Sequence, residues 1–326
     1  MTSTATSIQL PDLIEVLLAP TDPKANWFFG LTAKGLLYAL GEIDSQSPVL
    51  ATQQLTERGE KLHKAVVSND GHLVAATVGD RMFLWRYDNE PHPRFELIAK
   101  RADACTSSGP VCFSQDGRKI YSQRGYGIDA WSVPDLEHLN DFYEALNPEP
   151  NRYPLLLCTL PEGGFLYARD RVVGQKKATE LMIHNEAERE DELLYSFASA
   201  VEYVSAVSCP DSSLIALCVI DAPECHLYML DLKKKEQEVS WGVDLMTTFG
   251  TDGFHIRPSR DGAKLALFRH SGSVEVVDLK QHTFFSVPAR PSDVAWNSDA
   301  KMLVVDHFDA KIEVVDPPAD VDKQSA

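Results

Sequence analysis

Apolar residues along this chain come in short runs, each broken by a polar turn. A run at 62–68 ends in Asn69-Asp70-Gly71, a second at 72–78 ends in Gly79-Asp80-Arg81, and a third follows at 82–88. The same order recurs at 109–114, 119–124 and 127–133, around Gln115-Asp116-Gly117 and Gly125-Tyr126. It recurs again at 253–259, 264–270 and 273–279, around Arg260-Asp261-Gly262 and Ser271-Gly272. Val, Ile, Leu, Tyr, Phe and Trp fill these runs, which suits a pleated, half-buried surface. Asp-Gly, Gly-Asp and Ser-Gly pairs supply turn chemistry between them. The runs therefore predict strands, and the gaps are too short for the helices of a parallel α/β fold.

Weaker copies fill the rest of the chain. Their turn markers fall at residues 22, 70, 116, 162, 211, 261 and 299, at intervals of 38 to 50 and a mean of about 46. A repeat of that length with several short strands is the pattern of a propeller blade. The expected fold is all-β: a seven-bladed β-propeller of four-stranded antiparallel blades, forming one domain over 1–318. The blades are expected at about 13–56, 61–101, 104–147, 152–199, 201–244, 250–288 and 291–316, with 319–326 a disordered tail. Runs such as 214–220 and 302–305 are apolar throughout, as expected of inner strands covered on both faces.

The last blade has only three strands of its own, at 292–297, 302–308 and 311–316, before Pro317-Pro318 ends it. Residues 4–10 carry alternating Thr6, Ile8 and Leu10 and are expected to supply the missing outer strand, closing the ring. Two segments depart from the pattern. Leu136, Leu139, Phe142, Tyr143 and Leu146 lie at helical spacing before Asn147-Pro148, which predicts a short helical insertion near 136–146. The stretch 170–180, with Arg169, Arg171, Lys176 and Lys177 in or beside it, is locally basic and reads as a solvated loop.

At this point the chain resembles the WD-repeat family of seven-bladed propellers. Val277-Asp278 and Val315-Asp316 follow Asp261 and Asp299 at the same spacing, and Leu230-Asp231 follows Asp211 after a longer loop. Trp85 and Trp131 each lie 15 residues after a turn aspartate, Asp70 and Asp116. Ser68-Asn69-Asp70-Gly71, Ser114-Gln115-Asp116-Gly117 and Ser259-Arg260-Asp261-Gly262 are similar to the family's Ser-Pro-Asp-Gly turn. No blade has a complete Trp-Asp pair, and the family's Gly-His dipeptide is missing from its place ahead of these turns, since Gly71-His72 falls at the end of one. The resemblance implies a non-enzymatic scaffold or adaptor, docking a protein on the face that bears the second-to-third-strand loops and the blade connections. On that face it would place Arg81, Arg124, Tyr126, Arg171, His270, His307, Phe308 and Asp309. Exposed aromatics and arginines are over-represented among binding hot spots.

Charge narrows the partner. Against 48 acidic residues the chain has 31 Lys and Arg, a formal charge of −17. That disfavours nonspecific nucleic-acid binding and docking on anionic lipid, and would steer a basic protein partner. It also motivates a second reading, an acidic inhibitor or immunity-type protein that neutralises a basic effector enzyme. Of six cysteines, none forms a Cys-x-x-Cys pair and four sit inside apolar runs, which predicts buried free thiols in a reducing cytoplasm and no zinc site. The first ten residues lack a secretory pattern, and no apolar run is long enough to span a bilayer.

Catalytic motifs are missing: no Gly-x-Ser-x-Gly elbow, His-Glu-x-x-His, P-loop or EF-hand loop. Gly125-Tyr126-Gly127-Ile128-Asp129-Ala130 matches a dinucleotide fingerprint by letter but crosses a hairpin into a strand. Asp306-His307-Phe308-Asp309 is dense in possible ligands, but strand alternation sends Asp306 and His307 to opposite faces, so it reads as a solvated hairpin tip. No cofactor, metal or catalytic residue is expected, and a monomer is favoured. An enzyme using the central channel is the third reading.

Overall fold

A computed structural model describes residues 7–22, 24–41, 48–56, 60, 62–106, 109–125, 127–142, 154–173, 176–197, 199–201, 203–210, 213–221, 224–234, 236–242, 255–268, 272–281, 283–297, 299–306 and 308–316. Within them, seven four-stranded antiparallel sheets follow one another along the chain. Blade 1 holds Ile14–Leu18, Phe28–Thr32, Leu36–Leu40 and Val49–Gln54; blade 2 holds Leu62–Val67, Leu73–Val78, Arg81–Asp88 and Arg94–Arg101. Blade 3 holds Val111–Phe113, Lys119–Arg124, Gly127–Ser132 and His138–Phe142; blade 4 holds Leu155–Thr159, Phe165–Val173, Lys176–Asn185 and Glu190–Ser196. Blade 5 holds Tyr203–Ser208, Leu214–Asp221, Glu224–Asp231 and Glu236–Gly242; blade 6 holds His255–Pro258, Lys264–Phe268, Val274–Asp278 and Thr283–Val287. In blade 7, Pro291–Trp296, Met302–Asp306 and Lys311–Val315 are completed by Ser7–Gln9.

The first strands form the inner ring, since each contacts the first strand of the next blade, round to blade 7 against blade 1. Between every pair of adjacent blades lies one apolar cluster, seven in all. Strand alternation feeds two of them at once. Val74, Ala76 and Val78 face blade 1, whereas Ala75 between them faces blade 3. Leu265 and Leu267 likewise face blade 5, while Ala266 and Phe268 face blade 7. This is why the inner runs are apolar at every position.

The three Ser-x-Asp-Gly turns share one geometry. Ser68, Ser114 and Ser259 Oγ donate to Asp70, Asp116 and Asp261 at 2.5, 2.6 and 2.6 Å. The same hydroxyls accept the amides of Leu73, Lys119 and Lys264 at 3.0, 2.9 and 2.9 Å. Gly71, Gly117 and Gly262 take φ of 76°, 68° and 62°, the left-handed region that glycine enters without cost from a Cβ. The Ser114 hydroxyl holds the Asp116 carboxyl below its ordinary range. In blade 3, Trp131 Nε1 donates to Ser122 Oγ at 2.8 Å, and Ser122 donates to the Ala104 carbonyl. A peptide oxygen thus ends the chain of bonds in a blade that lacks the Gly-His dipeptide.

Ring closure uses the N-terminal strand. Ser7, Ile8 and Gln9 pair with Glu313, Ile312 and Lys311, and Leu10 N donates to Ala310 O at 2.7 Å. Ile8 and Leu10 are buried against Leu303, Val305 and Ile312.

Two expectations need correction. The helix near 136–146 is not formed where the chain is described: Leu136 has φ of 52° in a turn closed on Ser132, and His138–Phe142 is the outer strand of blade 3. The open edge of Gly127–Ser132 offers ladder partners, and an isolated helix of about ten residues is marginal in water. Residues 143–146 lie outside the described set, as does the tail at 319–326. The basic stretch is not a loop either. Phe165–Val173 and Lys176–Asn185 form a long hairpin whose charges meet across the strands.

Candidate functional site

The turns between second and third strands lie at the same end of the blades as the blade-to-blade connections. Ala104 N donates to Asp80 O at 2.9 Å, and Arg124 Nη1 to Asp103 O at 3.2 Å, so the two kinds of loop brace each other. The three expected arginines on this face already have carboxylates. Arg81 pairs with Glu60 and lies 5.6 Å from the Phe83 ring centroid. Arg124 Nε sits 2.6 Å from Asp129 Oδ2, with Nη2 3.7 Å from Asp141. Arg171 Nη1 lies 3.2 Å from Glu180 Oε1, whose other oxygen binds Arg169 at 2.8 Å. Burial works to raise the Glu180 carboxyl, but the two guanidinium groups outweigh it and hold it low.

Phe308 stands at the tip of a hairpin in blade 7. Asp306 Oδ1 accepts the Phe308 and Asp309 amides at 2.7 and 3.1 Å, which fixes the tip of the blade 7 hairpin. The ring it presents is 67 % exposed. Tyr126, His270 and His307 lie outside the described residues. The structure therefore sets Arg81, Arg124, Arg171 and the Phe308-Asp309 pair on four hairpins around one rim and does not gather them into a single pocket.

A cluster that the sequence did not reveal lies beside Arg124. Asp129 and Asp141 face each other in register across the third and fourth strands of blade 3, and His138 Nε2 is 2.6 Å from Asp141 Oδ1. Asp129 is 1 % exposed. Burial pushes its carboxyl up to about 6, against the pull of Arg124 and with the help of Asp141. Asp129, His138 and Asp141 bring their ligand atoms within 4.8 Å of one another, enough for a cation by number. Charge argues otherwise: a guanidinium already lies on Asp129, so one further proton closes the balance of two carboxylates. Helical spacing over 136–146 concealed this pairing, because only a strand sets Asp141 opposite Asp129.

The opposite end of the ring, at the first-to-second-strand turns, is bridged. Arg260 of blade 6 donates Nη1 to the carbonyls of Asp22, at 3.1 Å, and Ala25, and Nη2 to Trp27 O at 3.4 Å, all in the blade 1 turn. The same turn reaches blade 2, where Asp22 N donates to Asn69 O at 2.9 Å and Trp27 Nε1 to Gly71 O at 3.1 Å. One loop thus touches blades 2 and 6 from the inner rim.

Solved structures similar to this chain share its ring. The C-terminal WD40 domain of Sif2 matches 98 % of this chain and 100 % of its own, at 15 % identity and a TM-score of 0.57. The β-propeller domain of Myceliophteria thermophila Cps50 (Swd1) covers 95 % of this chain and 98 % of its own, at 8 % identity and 0.64. This is a WD40-type propeller fold. Kuenenia stuttgartiensis hydrazine synthase also matches, over 96 % of this chain and 98 % of its own at 14 % identity and 0.63, so an enzyme shares the architecture. No family model and no curated protein matches the chain. Identities this low speak to fold alone, and function rests on the site. Among the described residues no helix is long and apolar enough to cross a membrane.

Proposed function

We propose that this propeller is a non-enzymatic interaction module, a cytoplasmic and monomeric scaffold or adaptor that docks a protein on the loop face. The observation that carries this reading is Phe308, a 67 % exposed ring on a hairpin tip made rigid by Asp306. An aromatic anchor on a preorganised backbone loses less conformational freedom on binding than one on a loose loop. Arg81, Arg124 and Arg171, on blades 2, 3 and 4 of the same face, add polar groups whose charges are largely balanced. The thiols suit a reducing compartment: Cys105, Cys112 and Cys158 are free, and burial pushes Cys158 and Cys209 up to about 12.

The net charge of −17 favours a second reading, an inhibitor of a basic enzyme. Affinity capture from native lysate with wild type and Phe308→Ala separates these. The adaptor reading expects Phe308→Ala to weaken capture about tenfold or more, with an unchanged melting temperature and little dependence on salt. Capture of one enzyme that loses activity in the complex, and loss of that complex between low and physiological salt, would support the inhibitor. Capture unaffected by Phe308→Ala and by charge reversal of Arg124 and Arg171 would remove the loop face from consideration.

A further inference from the structure

The outer part of the seam between blades 3 and 4 opens into a cleft of about 600 Å³, a size ordinary for ligand pockets. His184, on the third strand of blade 4, lines it with its side chain 9 % exposed. Its ring stacks on Phe165 at 4.9 Å between centroids and lies 4.3 Å from Phe142. Nδ1 is 2.8 Å from Asp191, the residue directly opposite in the sheet register. A carboxylate only accepts, so Nδ1 carries a proton. Nε2 has no hydrogen-bond partner. A buried ring nitrogen without a partner is costly, and this one borders the cleft.

The rest of the lining asks for the same chemistry. Asp141, Glu162, Glu186 and Asp191 supply carboxylates against Lys119 and Arg189; Lys119 lies 2.5 Å from Glu186, while Asp141 and Asp191 already bind His138 and His184. Glu188, Glu190 and Glu192 extend the acidic charge along the exposed hairpin beyond it. Acceptors are in excess, charge is negative, and Phe142, Phe165 and Tyr167 provide aromatic surface. The complement is a flat cation with many N–H donors that stacks on rings. A guanidinium meets that description with five donors, and an ammonium does so poorly, being compact and strongly hydrated.

We infer that this cleft receives an arginine side chain from a partner protein. The acidic strand beside it is the surface along which a basic segment would lie. The assignment of the arginine to a partner rests on the interaction-module reading; the recognition of a guanidinium does not.

The test titrates the full-length protein with a capped Gly-Arg-Gly peptide, its citrulline and lysine counterparts, and free agmatine, followed by NMR or calorimetry. The expected result is a dissociation constant below about 1 mM for the arginine peptide. It should bind at least about tenfold tighter than the citrulline peptide, which keeps the shape and loses the charge, and tighter than the lysine peptide. Glu162→Gln, on an exposed turn, and Asp191→Asn should each weaken binding several-fold with melting temperature unchanged, and Phe308→Ala should leave it unaltered. Equal binding of the citrulline peptide overturns the proposal, as does binding indifferent to both cleft variants. Agmatine binding without peptide binding would make the cleft a small-molecule site and overturn the partner assignment. Because Phe308→Ala reads the loop face and Glu162→Gln reads the cleft, failure of one proposal is distinguishable from failure of the other.

Discussion

Asp129 is a residue whose environment works against its charge. Its carboxyl is buried beside Asp141, and its upward displacement to about 6 means that folding favours the protonated form. The favourable contribution is therefore complete below the unfolded value of 3.8 and is lost as pH rises through about 6. Asp129→Asn keeps the group neutral at every pH. It should match wild type near pH 4 and exceed it by about 1–3 kcal/mol at pH 8 in chemical denaturation. A variant less stable than wild type at pH 8 would mean that the Arg124 ion pair outweighs burial. Acid turn residues carry the opposite sign. Asp116, held low by Ser114, stabilises above its unfolded value and loses that contribution as pH falls.

Among the elements, the N-terminal strand is the one that closes the ring. Deleting residues 1–10 removes Ile8 and Leu10 from the blade 7 core and exposes the ladder edge of Lys311–Val315. The expected loss is about 3–5 kcal/mol, a fall in melting temperature of roughly 10 °C by calorimetry. An unchanged melting curve would sink this account of closure. Elements of this kind were legible in the sequence because two-residue alternation and Asp-Gly turns are local signals. The Ser-x-Asp-Gly turns emerged with the bonds their residue types imply. His138–Phe142 was not legible, because Leu136, Leu139 and Phe142 satisfy helical spacing and a waiting strand edge decides between the two forms. The candidate surface was legible only in part. Phe308 at a hairpin tip could be read from its neighbours, whereas the carboxylates that engage Arg81, Arg124 and Arg171 come from pairings between strands and loops.

For the whole molecule, Arg260 joins what the chain order separates. It is 8 % exposed and binds three carbonyls of the blade 1 turn from blade 6, spanning blade 7 on the inner rim. Burial pulls its guanidinium below the ordinary range, opposed by Asp22. Asp293 of blade 7 makes a parallel tie, accepting Leu17 N at 2.8 Å and Arg257 Nη2 at 3.1 Å. Arg260→Ala strands three carbonyls and should cost about 2–4 kcal/mol in urea denaturation. A loss below about 0.5 kcal/mol would show that water replaces the guanidinium at no cost and that the bridge is incidental.

The pairing of Ser7–Gln9 with Lys311–Val315 also sets a timetable. During synthesis the first strand leaves the ribosome with nothing to pair against, and its partner arrives some 300 residues later. Blades 1 to 6 are complete by then, so this ring is latched by a segment that has waited while the six blades between were made. A bulky fusion placed just ahead of that segment would burden the latch alone, and a circular permutant that joins it to the last strand through a short turn would make the slowest contact the fastest.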